Sequence, residues 1–327
     1  LDDLFNAEAL RFDLGERYRV EEGIGEGGQG RVFRGIDRLC NRPVAIKVAK
    51  YRPSHLRAEA ELLSQLAHPT VSQVFDVGMT PDGLDFLVMQ LVGGLRLDVW
   101  LEQEGVDLDR RLRLFVRLAE GMAHAHALGV LHRDLKPDNI VVMHADQPVI
   151  LDWGLSARGG KRSICGSPHF AAPEQLEGHP VTHRADVFAL GVLLYVMITG
   201  RLPYAREATD FQEFRRVRAG LVLVPLRKRA PSVPARLETV VARAMSAQPG
   251  ARHPQVEHLI ADVEQVREQL RRRRSNRVGW WLVLALACLV LGLVLGWLAH
   301  QHVQTGPVDP LTGRSHSAAA RPMGAWP

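Results

Sequence analysis

Cysteine is scarce: Cys40, Cys165 and Cys288 stand singly in a chain of 327 residues, with no CxxC spacing. Isolated cysteines build neither a disulfide framework nor a zinc site, so a reducing compartment is the simpler expectation. An apolar run at the start is also lacking. Residues 1–17 carry acids throughout, and no secretory leader is expected within them. No internal repeat is visible. A net excess of positive charge is missing from most of the chain as well, because Arg271, Arg272, Arg273, Arg274 and Arg277 equal the whole net charge of +5. Aromatic residues, at 6%, do not interleave with a basic stripe, which argues against a nucleic-acid partner.

What is present is a hydrophobic fraction of 46%, enough for a sizeable core. The length suits a two-lobed domain with an appendage, or two small domains. One segment, VGWWLVLALACLVLGLVLGWLA from Val278 to Ala299, is uncharged. As a helix it would extend about 33 Å, against a bilayer hydrocarbon core of about 30 Å. Trp280, Trp281 and Trp297 lie near its ends, where indole rings favour the membrane interface. The arginine cluster directly precedes it, and the positive-inside rule makes that side cytoplasmic. The expectation is a single-pass protein of the inner membrane, with residues 300–327 as a short outer tail. By contrast VFALGVLLYVMI, Val187 to Ile198, is too short to span and reads as a buried helix.

Tyr18 to Ala49 alternates strand-like runs around a glycine-rich turn and predicts two or three antiparallel strands. Ser54 can cap a helix to about Ala67, with Leu62, Leu63 and Leu66 on its apolar face. Further strands are expected at Val71–Val77 and Asp85–Leu91. Leu108 to Leu128 reads as a helix stopped at Gly129, and from Gln255 onward Val256, Leu259, Ile260, Val263, Val266 and Leu270 recur at helical spacing. The outline is a small β-rich lobe, 18–92, and a larger helical lobe, 93–265, with a ligand cleft between them. Around it lie an extension, 1–17, and a basic juxtamembrane segment, 266–277.

The chemistry-bearing residues fall in a definite order. Gly25, Gly27 and Gly30 form GxGxxG before Val32; such glycines let backbone N–H groups approach phosphates, though an ordinary hairpin turn fits the same letters. Strand pattern follows rather than a βαβ unit, which weighs against a Rossmann site. Lys47, in VAIK, sits on a half-buried strand, where an ammonium needs a partner. Glu59 is a candidate because it shares a helix face with Leu62, Leu63 and Leu66, whereas Glu61 points elsewhere; a solvated pair is the alternative. HRDLKPDN then brings Asp134, Lys136 and Asn139 within six residues: a proton acceptor, a cation and a metal-ligand oxygen. Asp152, in DWG, follows the strand-like Val149-Ile150-Leu151. Carboxylate, amide oxygen and phosphate together are what Mg²⁺ favours. His124 and His126, two apart on a helix, do not face each other and are not read as a metal pair.

Taken in order, these motifs resemble those of bacterial eukaryotic-type (Hanks-type) serine/threonine protein kinases in their single-pass membrane form, over roughly Tyr18 to Asp262. The resemblance implies an α+β bilobal fold with one C-terminal transmembrane helix, and ATP and Mg²⁺, with Mn²⁺ as an alternative, as cofactors. It implies that Gly25, Gly27 and Gly30 cover the phosphates and that Lys47, paired with Glu59, holds the α- and β-phosphates. Asp134 would accept the substrate proton, Lys136 would steady the γ-phosphate, and Asn139 and Asp152 would ligate the metal. Val32 and Ala45 would pack on adenine, with Met89 to Val92 as the hinge. In the activation segment, Ser163 is the candidate phosphosite opposite Arg133. Ser167 lies in the GSP motif, and Glu174 of Ala172-Pro173-Glu174 pairs with Arg252. Asp186 would brace the catalytic loop.

Two departures stand out: Trp153 takes the place of the usual Phe, and Gln90 that of a common hinge Glu. The reading that follows is Ser/Thr phosphorylation of proteins, including the chain itself, in membrane-associated signalling. The alternatives are a pseudokinase scaffold, against which the complete catalytic set argues, and a small-molecule phosphotransferase, which would lack the Ala-Pro-Glu anchor. Expected partners are protein substrates, membrane lipid and a second copy, through the kinase domain or through Gly292 and Gly296, a GxxxG in the span.

Overall fold

The computed structural model describes residues 13–26, 30–51, 56–153, 168–204 and 223–304, without the side chains of 13, 58, 62, 273–286, 299 and 301–304. Gly27, Ser54, Ser163, Ser167 and the tail beyond 304 lie outside the described residues, as does the side chain of Leu62.

The small lobe is a six-stranded antiparallel sheet. Its strands are β1 (Asp13–Leu14), β2 (Tyr18–Glu26), β3 (Gly30–Asp37), β4 (Arg42–Ala49), β5 (Val74–Met79) and β6 (Asp85–Gln90), in the order β1-β2-β3-β4-β6-β5. Side chains alternate across a strand, so β4 feeds two cores at once. Val44, Ile46 and Val48 join Tyr18, Val20, Phe33, Phe86 and Val88 on one face. Ala45 and Ala49 join Leu87, Met89 and the helix α1 (Leu56–Leu63) on the other. Lys47 has the parity of Ala45 and Ala49 and therefore lies on the α1 side, 4% exposed.

Helix α1 is shorter than its pattern predicts. It ends at Leu63, where Ser64 Oγ donates to the Glu61 carbonyl and the Leu66 amide to that of Leu63, ahead of Pro69. The next strand starts later than expected for a related reason. The Ile150 amide donates to the Thr70 carbonyl at 2.7 Å, and Val71 forms a parallel bridge with Ile150. Residues 70–72 therefore bond to the large lobe, and the small-lobe sheet resumes only at Val74.

The large lobe holds a three-stranded sheet of β7 (Leu95–Arg96), β8 (Ile140–Met143) and β9 (Gln147–Ile150). Its helices are α2 (Leu97–Leu101), α3 (Leu108–Ala127), α4 (Pro173–Glu177), α5 (His183–Thr199), α6 (Leu226–Arg229), α7 (Ala235–Ala244) and α8 (Val256–Gln304). The Asp107 carboxylate accepts from the Arg110 amide to cap α3. Gly129, at φ +73°, follows the end of α3, where the sequence predicts the stop. Helix α5, apolar on all sides, is buried from Ala185 to Tyr195, as expected for a segment too short to span. Gly191 lets it approach α7: a methyl there would lie 2.8 Å from the Ala244 methyl. The start of α8 closes the core through Val256, Leu259, Val263 and Val266, while Arg267 pairs with Asp109 at 3.2 Å and Glu264 at 2.6 Å.

Residues 271–327 form a separate compact unit. Its described part is helical to Gln304, with Leu289, Val290, Leu291, Leu293, Val294, Leu295 and Trp297 all exposed. Among the residues described with their side chains no helix is long and apolar enough to cross a membrane. Nothing lies within 4 Å of a methyl built on Gly292 or Gly296.

Gly191→Ala should destabilise the fold by about 1–3 kcal/mol, the usual cost of overpacking a helix contact. Gly250→Ala, which meets nothing within 4 Å, should stay within about 0.5 kcal/mol. Urea unfolding of the two variants side by side checks this; equal midpoints would contradict the packing assigned to α5 and α7.

Candidate active site

The site begins with one charge that the small lobe cannot leave unpaired. Lys47 Nζ lies 3.3 Å from Glu59 Oε1 and 3.0 Å from Asp152 Oδ1. Lys47 and Glu59 are almost wholly buried, whereas the Asp152 side chain is 49% exposed. Burial pulls the lysine pKa down, but the two carboxylates outweigh it and the net shift is upward, so Lys47 stays an ammonium. Burial pushes Glu59 up more than Lys47 holds it down. With both acids ionised, the three groups carry one excess negative charge, which favours an incoming cation.

Across the cleft, the turn from Val130 to Asn139 carries the second set of groups. Asp186, on α5 and 1% exposed, organises it: Oδ2 accepts from the His132 amide at 3.0 Å and Oδ1 from the Arg133 amide at 2.8 Å. His126 Nε2 also bonds Oδ2, at 2.7 Å. Burial raises the Asp186 pKa, but the His126 bond and the nearby donors outweigh it and hold the carboxyl below its usual range. Arg133 adopts φ +65°, a conformation costly for a non-glycine residue that the two bonds to Asp186 help to hold. Beyond that turn, Asp134 receives Lys136 Nζ at 3.1 Å, and Asn139 Nδ2 donates to the Asp134 carbonyl at 2.9 Å. The Leu151 amide bonds the Asn139 carbonyl, which ties this loop to the residue before Asp152.

The donor set suits a hard cation. Asn139 spends its NH₂ on Asp134, which orients the amide and leaves the side-chain oxygen to accept. Asp152 uses Oδ1 on Lys47 and keeps Oδ2. Two protein oxygens, completed by water and phosphate, match the octahedral preference of Mg²⁺. Among the described residues no group of three His, Cys, Asp or Glu could hold a metal. His124 stacks on His68 with ring centroids 5.3 Å apart.

Above these groups, Ala45 and Met89 are direct partners in the sheet, with Val32 and Leu91 packed against the same cluster. Val92 is partly exposed just beyond β6. The glycines divide. A methyl on Gly30 would sit 2.4 Å from the Val48 carbonyl oxygen, so packing of β3 on β4 already requires glycine there. Among the described residues a methyl on Gly25 would meet only Val32, at 3.9 Å.

Below, Arg252 and Glu174 form a bidentate pair, at 2.6 and 2.8 Å. The other Arg252 donors go to the Ser246, Arg184 and Ala247 carbonyls, which satisfies all five N–H groups. Gln175 was not anticipated. Its NH₂ donates to the Arg133 carbonyl at 3.0 Å while its oxygen accepts from Ala172, which joins α4 to the catalytic turn. The sequence assigns His126 no role, and its spacing of four from the buried Met122 is the available sign that it faces inward.

Comparison with known proteins follows from this geometry. The family described as "Protein kinase domain" matches residues 18–272. The chain is 32% identical over 285 residues to the serine/threonine-protein kinase pkn3 of Myxococcus xanthus, covering 79% of this chain and 51% of that protein. It is 30% identical over 263 residues to the serine/threonine-protein kinase PrkC of Bacillus subtilis, covering 76% and 40%. Against the serine/threonine-protein kinase PknD of Chlamydia pneumoniae the identity is 30% over 293 residues, covering 76% and 31%. The chain thus spans about half or less of the length of these curated relatives.

The site also fixes a pH response. Burial holds the imidazoles of His68, His132 and His253 below their ordinary pKa. The unfolded chain therefore takes up protons from about pH 6.5 downward while the folded chain resists them. The stability from these groups is full above that value and is lost as pH falls through the folded values. Urea unfolding at about pH 7.5 and about pH 5.5 should show the lower stability at the lower pH, and His132→Phe should flatten the dependence. A dependence of opposite sign between those values would contradict the assignment.

Proposed function

The chain belongs to the protein kinase domain family, and from that premise we propose that it transfers the γ-phosphoryl group of ATP to serine or threonine hydroxyls of proteins, itself included. The observation that carries this reading is the paired state of Lys47, between Glu59 and Asp152, on one side of a cleft whose other side presents Asp134 and Lys136.

In this reading Ala45, Val32 and Met89 cover the adenine, with Val92 at the hinge, while Gly25, Gly27 and Gly30 lie over the phosphates. Lys47 holds the α- and β-phosphates, oriented by Glu59. Asn139 and Asp152 would hold Mg²⁺, which would supply charge neutralisation at the phosphate oxygens. Asp134 accepts the proton of the incoming hydroxyl as its oxygen attacks phosphorus in line with the departing ADP oxygen. Lys136, bonded to Asp134, stabilises charge on the transferring group. Lys136 and Ser167 together favour serine or threonine over tyrosine. Ser163 is the proposed regulatory phosphosite, placed by sequence near Lys161 and Arg162 and received by Arg133; its phosphate would add roughly −2 charge.

Residues 278–299 are proposed to span the inner membrane, with the kinase domain cytoplasmic and residues 300–327 outside. Support comes from an uncharged run, a helical backbone through it, and large apolar side chains exposed along its described part. Gly292 and Gly296 would let two spans approach closely.

Purified full-length chain with Mg-ATP should label itself and a generic protein acceptor. Asp134→Asn should reduce the rate by at least about 100-fold, the scale of a lost general base. Equal labelling by both proteins would reject the assignment, whereas absence of labelling in both would favour the scaffold reading. Peptide mapping of the active enzyme should find phosphate on Ser163, and an unmodified Ser163 at full activity would remove it as the switch.

The membrane proposal is checked separately. Fractionation should recover the chain with membranes and release it when residues 278–299 are deleted, and a C-terminal periplasmic reporter should be active. Gly292→Ile with Gly296→Ile should lower self-association in a two-hybrid assay. Retention of the deleted chain in membranes, or an unchanged two-hybrid signal, would count against the respective part.

A further inference from the structure

Gln175 has no part in the scheme above, and the helix in which it lies does not by itself explain why it is a glutamine. Its oxygen accepts from the Ala172 amide at 2.9 Å and so caps α4, a task that a glutamate at the same place would perform equally well. The NH₂ group is what a glutamate lacks. It reaches back 42 residues to the Arg133 carbonyl, at 3.0 Å. That carbonyl belongs to the peptide group that joins Arg133 to Asp134.

Arg133 stands at φ +65°, where a side chain is disfavoured, so outside contacts must hold the turn. Asp186 accepts from the amides of His132 and Arg133, which fixes the peptide group on the N-terminal side of Arg133. It leaves open the rotation about the Arg133 Cα–C bond, and that rotation turns the next planar peptide group and Asp134 with it. Gln175 holds the oxygen of this next group, whose N–H makes the longer bond to His132 Nδ1, at 3.3 Å. On the far side Asn139 donates to the Asp134 carbonyl and Lys136 to Oδ2, but these two are assigned to metal and phosphate. Gln175 serves placement alone. Its own position is set by its neighbour, because Glu174 is buried and bound to Arg252 through both oxygens.

We propose that Gln175 is a positioning residue for Asp134: by holding the Arg133 carbonyl it sets the direction of the carboxylate that follows, and it ties that direction to the anchor made by Glu174 and Arg252. The inference rests on the phosphoryl-transfer reading above. Gln175 acts on the group that receives the hydroxyl proton and not on the nucleotide, so its loss slows the transfer step and leaves binding of Mg-ATP as it is.

The test compares Gln175→Glu and Gln175→Met with the natural full-length chain, after thermal melting confirms folding. Glutamate keeps the oxygen for Ala172 and removes the donor; methionine keeps the length and removes both. Single-turnover transfer from Mg-ATP to dephosphorylated casein and to the chain itself is timed by rapid quench, and calorimetry measures the affinity for a non-hydrolysable Mg-ATP analogue. Both variants should transfer about tenfold more slowly at saturating substrates, with analogue affinity and the KM for casein within about twofold of the natural chain. From about pH 7.5 to about pH 5, the rate of Gln175→Glu relative to the natural chain should rise about twofold, because a protonated carboxyl again donates to the Arg133 carbonyl. The relative rate of Gln175→Met should stay level. An unchanged transfer rate, a loss that appears in KM or analogue affinity instead, or a level ratio for Gln175→Glu would overturn the proposal. If the natural chain labels neither casein nor itself, the phosphoryl-transfer reading falls, and the proposal with it.

Discussion

A positive charge inside a doubly covered β-strand is the constraint on which the site depends. β4 buries both faces, and the Lys47 side chain is only 6% exposed, so its ammonium has little contact with water. An uncompensated ion in such a place costs several kcal/mol, and removal of one partner from a buried pair typically costs about 3–5 kcal/mol. The lobe meets this by bringing Glu59 from α1 and Asp152 from beyond β9 to the same nitrogen. One ion thereby fixes the position of a helix in the small lobe against a loop of the large one.

The large lobe follows the same logic with its own buried charges. Asp186 stays ionised in the core because two backbone amides and His126 donate to it, and those bonds define the turn that presents Asp134. Arg252 spends every donor on Glu174 and three carbonyls, which anchors the segment after residue 168 to the base of the domain. Gln175 completes the circuit by bonding the Arg133 carbonyl. Asp186, Glu174 and Arg252 would not touch substrate, yet they restrain the turn that presents Asp134 and the segment after residue 168.

Much of this was readable from residue order. The parity of Lys47 within VAIK and the helical spacing of Glu59 from Leu63 and Leu66 pointed to a pair, because strand and helix periods are local properties of the chain. The same holds for the Gly129 stop and for the uniformly apolar α5. Boundaries that depend on distant partners were not readable. Residues 70–72 look like the start of a strand, yet they bond to Ile150 in the other lobe and join no sheet beside Val74. Gly30 matches a phosphate-loop motif, yet the Val48 carbonyl alone would demand glycine there.

The order and spacing of GxGxxG, VAIK, HRDLKPDN, DWG and APE were enough to determine the lobes, the cleft and the identity of the charged groups, since each motif is short and its geometry is set by neighbours in the chain. Which polar atoms meet was decided only by tertiary structure. His126 reaches Asp186 across 60 residues, and the Trp153 indole lies against His132 with its N–H unbonded among the described residues. Such contacts depend on how elements far apart in sequence pack in the core, where position and not composition determines whether a buried donor finds an acceptor.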